Sequence, residues 1–390
     1  MSFDFDREIP RENTDSLKWD GRADYFGRAD LMPLWVADMD FAAPEAVVEA
    51  LMARAAHPVY GYTRFPDAVF AALTGWLQRR HGWTVDRDWI VMAPGVVPSL
   101  HAAILACTQP GDGVIVQPPV YFPFMSSVTE TGRKLVLNPL EFRNGRYAFD
   151  LAHLERCAAG GARMLMLCSP HNPVGRVWER QALEDLLAIA RRHDLVVLSD
   201  EIHADLLYPG RTHTPLACLA GPRDRVITTV APSKTFNIPG LGLSAIIAPD
   251  PVQRAAIEKA FGQLHVNPAN PFSIVAFCAA YNAGEAWLTA LMAYLAATRD
   301  AVRDHLAKNL PQVALVEPEA TYLLWLDCRG LGLDDAQLKR FMVREAGVGL
   351  NPGTVFGAGG EGFMRMNIGC PRARVMQALE NMAQAVKRRT

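Results

Sequence analysis

The stretch that decides the fold is Thr228–Ser244, TTVAPSKTFNIPGLGLS, in which an apolar β-branched run leads into Ser233-Lys234 and a proline- and glycine-rich loop. Open α/β sheets place their reactive groups where a strand ends in a loop. Burial lowers the pKa of a lysine because it disfavours the charged form, and an amine nucleophile needs such a pKa near neutral pH. An isolated Ser-Lys pair more often lies in an exposed loop, so the prediction of a reactive lysine depends on the residues upstream.

Two further apolar runs precede this stretch, and each ends in polar residues. Arg163–Ser169 leads to Asn172, and Leu195–Ser199 leads to Asp200. Between the two runs, Glu179–His193 has its leucines at helical spacing. This order predicts a β-α-β unit, whose parallel strands bring their carboxyl ends to one edge of a sheet. We therefore expect an amide, a carboxylate and an amine to meet in one crevice.

These three groups suit one cofactor, pyridoxal 5′-phosphate. It needs a lysine for a Schiff base and an acid that keeps its ring nitrogen protonated, so that the ring can act as an electron sink. We predict that Lys234 is this lysine and that Asp200 is this acid. Asn172 is predicted to hydrogen-bond the phenolic oxygen of the ring.

Three motifs carry a resemblance to a known superfamily. SPHNPVGRVW, LSDEIHADLLY and APSKTFNIPGLGLS resemble the asparagine, aspartate and lysine motifs of the fold-type I pyridoxal-phosphate enzymes, the aspartate aminotransferase superfamily. The resemblance covers nearly the whole chain and extends to Arg365. PLWVADMDF, YGYTRF and APGVVPSL in the N-terminal part are similar to the MalY/PatB group of cystathionine β-lyases, also called C–S lyases.

The resemblance implies an α/β chain with the pyridoxal-phosphate-dependent transferase fold of type I. Its large domain would hold a mostly parallel seven-stranded sheet, and a smaller α+β domain would follow. We expect an N-terminal arm and active-site segment over 1–44, the large domain over 45–282 and the small domain over 283–390. The first 30 residues are expected to be extended, and helices are expected over Ala283–His305 and Asp334–Ala346.

The resemblance also implies which residues hold the cofactor. The backbone N–H groups of Val96 and Val97 would bind its phosphate, and so would the hydroxyl of Ser233. Tyr121 would stack on the ring and hold it in the plane that the reaction needs. His203 stands where much of the superfamily has a tyrosine, so it is expected to contact the cofactor.

Other residues would bind the substrate or join two subunits. Arg365 would pair with the α-carboxylate of an amino-acid substrate, and Asn172 and Asp38 would lie beside it. In the family a tyrosine reaches the cofactor phosphate of the partner subunit, and Tyr60 or Tyr62 could be that residue. We therefore expect a homodimer with its active sites at the interface.

The expected reaction is β-elimination of L-cystathionine or a related L-cysteine S-conjugate, which yields a thiol, pyruvate and ammonia; with cystathionine the thiol is homocysteine. One alternative is an aminotransferase on the same fold, and another is a regulatory protein that acts by protein contact. Gly242 stands where aminotransferases of this superfamily usually carry an arginine that pairs with the phosphate. This departure favours the lyase, but the physiological thioether stays open.

Composition excludes several classes of partner. The net charge is −2, which offers no electrostatic attraction to nucleic acid or to an anionic membrane. No run of 18 apolar residues predicts a membrane span, and the N-terminus lacks the pattern of a signal peptide. The seven cysteines are scattered and form no C-x-x-C pair. They favour a reducing cytoplasm over a disulfide framework, and no metal site is expected.

Overall fold

The segment predicted to be a β-α-β unit forms one in the computed structural model, which describes residues 3–389. Strand Ala162–Cys168, helix Arg180–Arg192 and strand Val196–Asp200 follow one another, and the two strands pair in parallel with Cys168 opposite Asp200. Both strands are almost entirely buried. This is why they read as continuous apolar runs rather than as alternating ones.

Fifteen strands and twelve α-helices lie within residues 3–389. The strands are β1 Met32–Pro33, β2 Ile90–Ala93, β3 Gly113–Val116, β4 Lys134–Leu137, β5 Glu141–Arg143, β6 Arg146–Ala148, β7 Ala162–Cys168, β8 Val196–Asp200, β9 Arg225–Val230, β10 Ser244–Ile247, β11 Ala314–Val316, β12 Leu323–Asp327, β13 Val348–Gly349, β14 Asn351–Pro352 and β15 Phe363–Asn367. The helices are α1 Arg22–Phe26, α2 Glu45–Ala55, α3 Asp67–His81, α4 Val96–Cys107, α5 Pro123–Glu130, α6 Leu151–Ala159, α7 Arg180–Arg192, α8 Pro251–Gln263, α9 Pro271–Ala283, α10 Glu285–Asn309, α11 Asp335–Arg340 and α12 Arg372–Lys387.

Seven strands form the large sheet, in the order β2-β10-β9-β8-β7-β3-β4. Only β10 runs antiparallel to its neighbours β2 and β9. Helices α4, α5 and α8 cover one face of this sheet, and α6 and α7 cover the other. The predicted mostly parallel, seven-stranded sheet is confirmed, and its carboxyl edge carries the asparagine, aspartate and lysine motifs.

A second hydrophobic core contains residues from both the N-terminal and the C-terminal parts of the chain. The sheet β11-β12-β15-β14 packs with α3, α9, α10 and α12 into one hydrophobic cluster. Strand β1 enters this region from the N-terminal part, because it pairs in parallel with β13. The expected small α+β unit is thus present, although its core continues into helices of the large domain. The boundaries at residues 44 and 282 stay predictions.

Three local expectations need correction. The N-terminal arm is not simply extended, since it contains turns and the short helix α1. The helix expected over Ala283–His305 is α10, which runs from Glu285 to Asn309 and is bent by 75° from α9. The helix expected over Asp334–Ala346 divides, because α11 ends at Arg340 and a π-helical turn covers Phe341–Glu345.

No single helix within residues 3–389 has the length and apolar character needed to cross a membrane. Helices α9 and α10 meet that requirement only together, by length and composition, as a bent pair.

Candidate functional site

A cavity of about 300 Å³ opens at the carboxyl ends of β7, β8 and β9 and at the start of α4. This is the position where parallel sheets bind their ligands, since the loops that leave successive strands diverge there. Eight residues that the sequence predicted for the cofactor line it: Val96, Val97, Tyr121, Asn172, Asp200, His203, Ser233 and Lys234. The structure therefore brings together residues from five separate stretches of the chain.

Lys234 lies on a tight turn that follows β9. The N–H of Phe236 donates to the carbonyl of Pro232, and the N–H of Ile238 donates to the carbonyl of Ser233. Nζ of Lys234 donates to the carbonyl oxygen of Ala37 at 2.6 Å. Burial lowers the pKa of Lys234 to about 8, and the nearby charge of Arg365 acts in the same direction. An amine with this pKa is partly neutral near physiological pH, as a nucleophile or base must be.

Asp200 is the last residue of β8 and is 4% exposed. Its Oδ1 accepts a hydrogen bond of 3.1 Å from the N–H of Ile202. Burial raises the pKa of Asp200 to about 7, with a contribution from the charge of Glu201, although that hydrogen bond and Lys234 oppose the rise. Because an unpaired charge is costly to bury, a buried carboxylate without a cation at hydrogen-bond distance favours the binding of a positively charged partner.

His203 is buried beside these groups with its hydrogen-bonding capacity unused. It is 3% exposed, and Nδ1 has no partner within the described part of the chain. Burial, together with the charges of Lys234 and Arg365, lowers the pKa of His203 to about 3. The imidazole is therefore neutral at physiological pH, so one of its ring nitrogens can donate to an acceptor in the cavity.

Part of the cavity lining suits an anion. Helix α4 begins at Val96, and the first N–H groups of a helix have no partner within the helix. Ser233 lines the same cavity. Gly242 has φ +50°, and a Cβ there would lie 3.0 Å from the carbonyl oxygen of Pro94. A side chain at position 242 would therefore be strained in this backbone conformation.

Arg365 lies in the middle of β15 and is 4% exposed. Its Nη1 donates to Oδ1 of Asn172 at 3.1 Å, and its Nη2 donates to Oδ1 of Asn351 at 2.8 Å and to the carbonyl of Trp35 at 2.9 Å. All three acceptors are neutral, and no carboxylate in residues 3–389 forms an ion pair with it. Burial lowers the pKa of Arg365 to about 10, still high enough to keep the guanidinium charged.

Residues 35–41 cross this region, and side chains from distant elements hold their carbonyl groups. Ala37 O also accepts from the hydroxyl of Tyr322 at 2.9 Å. Nδ2 of Asn367 donates to the carbonyls of Val36 and Asp38, and Nδ2 of Asn237 donates to those of Met39 and Phe41. The sequence analysis missed Tyr322, Asn351, Asn237 and Asn367. Only Asn237 lies within a recognisable motif, so the other three gave no signal.

Asp38 does not line the cavity. Its carboxylate pairs with Arg11 at 2.7 Å and lies 3.9 Å from Nζ of Lys18. The backbone of the neighbouring Ala37 reaches the cavity instead. The side chain of Asp38 therefore contributes its charge from a distance and anchors the 35–41 segment.

Tyr60 and Tyr62 lie in an exposed loop outside the cavity. The hydroxyl of Tyr60 donates to the carbonyl of Ala55 at 2.8 Å, and its ring lies 5.7 Å from that of Phe272. Tyr62 is fully exposed. Neither tyrosine contributes to the cavity of its own subunit, so their expected contact with a partner's cofactor stays a prediction.

Pyridoxal 5′-phosphate fits the donors and acceptors of this cavity. Lys234 offers the amine, Asp200 an acid for the ring nitrogen, and the unpaired Nδ1 of His203 a contact for an oxygen. The start of α4 and Ser233 offer N–H and O–H donors for a phosphate. The volume of about 300 Å³ is that of a small-molecule site.

Comparison with known proteins gives a consistent result. The family model described as aminotransferase class I and II matches residues 29–382. The chain is 44% identical over 384 residues to the cystathionine β-lyase PatB of Bacillus subtilis, which covers 98% of this chain and 99% of that protein. It is 33% identical to the protein MalY of Escherichia coli, with 99% of each chain covered.

A solved structure has the same fold over its whole length. Cystalysin from Treponema denticola, which contains a pyridoxal 5′-phosphate cofactor, superposes with a TM-score of 0.97. The two chains are 35% identical, and each is completely covered. The large sheet and its helices are therefore those of the type I pyridoxal-phosphate-dependent transferase fold, as the sequence predicted.

Proposed function

We propose a function from the premise that this chain belongs to the aminotransferase class I and II family. It is a pyridoxal-phosphate-dependent carbon–sulfur lyase that carries out β-elimination on L-cystathionine or a related L-cysteine S-conjugate. The observation that carries this proposal is a cavity lined by a lysine of lowered pKa and a buried aspartate, together with a buried arginine that contacts the lining residue Asn172 and pairs with no carboxylate in residues 3–389. The likeness to PatB and MalY supports the lyase within the family.

Arg365 is the proposed anchor for the substrate α-carboxylate. A buried guanidinium with three neutral acceptors has no charge partner, and a carboxylate can supply one through two parallel hydrogen bonds. Asn172 already contacts the guanidinium, so it holds the arginine and would face the substrate as well. Charge neutralisation by the substrate's own carboxylate gives the site its preference for amino acids.

Lys234 is the proposed covalent attachment point for the cofactor and the base for the reaction. When bound, pyridoxal 5′-phosphate supplies an electron sink that acidifies the Cα–H bond of an attached amino acid. The free, neutral amine of Lys234 would then take the Cα proton of the substrate as a general base. Ala37 O, which accepts from Nζ at 2.6 Å, keeps this amine within the cavity.

The remaining cavity residues hold the cofactor. Asp200, which lines the cavity, would keep a proton on the ring nitrogen, and Tyr121 would stack on the ring and fix its plane. His203, as a neutral imidazole, donates toward the phenolic oxygen. Val96, Val97 and Ser233, none of which carries a positive charge, would bind the phosphate.

The reaction balances without a redox partner. The Cα proton leaves to Lys234 and the Cβ–S bond breaks, so that a thiolate departs with the bonding electrons. The remaining three-carbon enamine, 2-aminoacrylate, reacts with water to yield pyruvate and ammonia. With L-cystathionine the thiol is homocysteine.

The active protein is proposed to be a homodimer. Tyr62 is the better candidate to reach the partner's phosphate, because it is fully exposed, whereas Tyr60 is tied to Ala55 and Phe272 of its own chain. Sedimentation of the holoenzyme would report a dimer. Tyr62→Phe would then weaken binding of pyridoxal 5′-phosphate more than Tyr60→Phe, and equal effects would refute this assignment.

A cytoplasmic location is part of the proposal. All seven cysteines are free thiols, and four of them are at least partly exposed. Free thiols persist where the surroundings are reducing.

Absorption and product assays test the proposed activity together. Purified holoenzyme should show a visible Schiff-base band that Lys234→Ala abolishes, and L-cystathionine should yield pyruvate and thiol in equal amounts. Amino-group transfer that needs an added keto acid, without pyruvate release from L-cystathionine, would identify an aminotransferase instead. No band after addition of pyridoxal 5′-phosphate would refute the enzyme and leave a regulatory role.

A further inference from the structure

Asp205 is a buried carboxylate that the proposed reaction does not use. It is 5% exposed and accepts hydrogen bonds from three side chains. Nε1 of Trp76 lies 3.1 and 3.2 Å from its two oxygens, and Nε2 of His81 lies 2.9 Å from Oδ1. Trp76 and His81 both belong to α3, so this carboxylate fastens the loop after β8 to that helix.

The third donor to Asp205 is the residue next to the cofactor lysine. Oγ1 of Thr235 donates to Oδ2 of Asp205 at 3.0 Å, and Thr235 is fully buried. Burial alone would raise the pKa of Asp205, but the hydrogen bonds and charge of His81 and the hydrogen bond of Thr235 lower it overall. The acceptor is therefore ionised, and hydrogen bonds to charged groups are stronger than those between neutral groups.

A second buried pair of the same kind lies against the first. Nε2 of His213 lies 2.8 Å from Oε2 of Glu201, the residue that follows Asp200. The rings of His81 and His213 meet edge to face, with their centroids 5.5 Å apart. The segment that follows Asp200 and the turn that carries Lys234 are thus both hydrogen-bonded to a cluster that includes His81 and His213.

We propose that Asp205 is a positioning residue for the cofactor lysine and acts through the hydroxyl of Thr235. Thr235 is adjacent to Lys234 on a tight turn, so its hydrogen bond to Asp205 sets the orientation of that turn relative to α3. An amine held in one place attaches the cofactor more tightly than one on a turn that can rotate. This inference depends on the role of Lys234 in the proposed function.

The test uses the same substitution at two buried threonines. Thr235→Val removes the hydroxyl and keeps the shape of the side chain. Thr228→Val on β9 is its matched control, because Thr228 is 1% exposed and its hydroxyl has no hydrogen-bond partner in residues 3–389. Each apoprotein is titrated with pyridoxal 5′-phosphate to obtain the Kd and the pH midpoint of the visible Schiff-base band.

Thr235→Val should raise the Kd for pyridoxal 5′-phosphate roughly ten-fold, as expected for the loss of one hydrogen bond to a charged group, and should shift the band's pH midpoint. Thr235→Ser, which keeps the hydroxyl, should return both values to within about two-fold of the wild type. Thr228→Val should leave both unchanged. Asp205→Asn combined with Thr235→Val should bind the cofactor no more weakly than the weaker single variant, since both changes break the same link.

Equal Kd values and midpoints for Thr235→Val and the wild type would overturn the inference, and so would an equal change in Thr228→Val. If Asp205→Asn does not fold, the two threonine variants still decide the matter. Absence of the band in the wild type would instead refute the proposed function, so the two failures are distinguishable.

Discussion

Two buried arginines of this chain have opposite surroundings. Arg176 is 3% exposed and pairs with the carboxylates of Glu319 and Glu179. Arg365 is 4% exposed, donates to three neutral oxygens, lies over the ring of Phe356 and pairs with no carboxylate in residues 3–389. Both guanidinium groups are removed from water, which is costly for any charge. Arg176 is compensated within the chain, and Arg365 is not. A buried cation that the fold leaves without an anion marks the place where a ligand brings one.

The same contrast holds for two lysines. Lys18 is fully buried and forms an ion pair of 3.2 Å with Asp40, while Lys234 donates to the carbonyl of Ala37 and forms no ion pair with a carboxylate in residues 3–389. The buried charge of Lys18, next to residues 35–41, is therefore part of an ion pair within the fold. The amine of Lys234 in the cavity is not paired with a carboxylate and is available for chemistry.

The largest expected effect separates the two lysines. Lys234→Ala should lower the rate of pyruvate release from L-cystathionine by at least roughly 10²- to 10⁴-fold, the usual contribution of a general base, because the attachment point is lost as well. The thermal stability of the Lys234→Ala apoprotein should not fall.

Lys18→Met should instead lower the free energy of unfolding by about 3 kcal/mol, since Asp40 would lose a buried partner. Denaturant titration and a pyruvate assay of both variants provide the measurement. A Lys234→Ala enzyme that still releases pyruvate would contradict the proposed difference between the two lysines.

Substitutions of the two arginines should also differ, one affecting KM and the other stability, with a smaller effect on activity than that of Lys234→Ala. Arg365→Gln should raise KM for L-cystathionine roughly 30- to 100-fold through loss of a charge-assisted contact of about 2–3 kcal/mol. Arg176→Gln should change KM little and lower stability by about 3 kcal/mol, because Glu319 stays buried with less compensation. Steady-state kinetics and urea unfolding of both variants provide the measurement. A large KM change in Arg176→Gln would contradict the proposed difference between a structural Arg176 and a substrate-binding Arg365.

Asp200 offers a test through stability rather than activity. Its pKa of about 7 lies above the unfolded value, so ionising it in the folded apoprotein is unfavourable, and this penalty grows as pH rises from 4 to 7. The free energy of unfolding of Asp200→Asn apoprotein should therefore be about 1–3 kcal/mol higher than that of wild-type apoprotein at pH 8. The difference should disappear near pH 4. A variant that is less stable than the wild type at pH 8 would show that the carboxylate is compensated.

The smallest expected effect is a pH dependence of cofactor attachment. Because the neutral amine reacts and Lys234 has a pKa of about 8, the rate of band formation in apoprotein should rise about ten-fold from pH 7 to pH 9 and then level off. A lysine with an ordinary pKa would give a rise of about 100-fold over this range without a plateau. Arg365→Gln should move the plateau to higher pH, because it removes a charge that lowers this pKa. Stopped-flow absorbance would record the profile.

Much of the site could be predicted because its residues lie in short motifs at strand ends. Asn172, Asp200 and Lys234 each follow an apolar run within a few residues, and a parallel sheet must bring such ends to one edge. The local pattern therefore predicted the β-α-β unit and the meeting of these three residues, whereas the fold type and the other cavity residues came from the family resemblance. Gly242 was also visible in the sequence, although only its φ of +50° and its distance to Pro94 explain why it has no side chain.

The rest depended on contacts between residues far apart in the chain. Asn351 and Tyr322 have no sequence signal, yet they contact Arg365 and Ala37. The ion pair between Asp38 and Arg11 was not predicted, because the two residues lie 27 positions apart. The sequence by itself determined the strand ends, the helix that separates them and the chemistry of the side chains there. Only the tertiary structure decided which charges are paired, because pairing depends on distances that the order of residues does not contain.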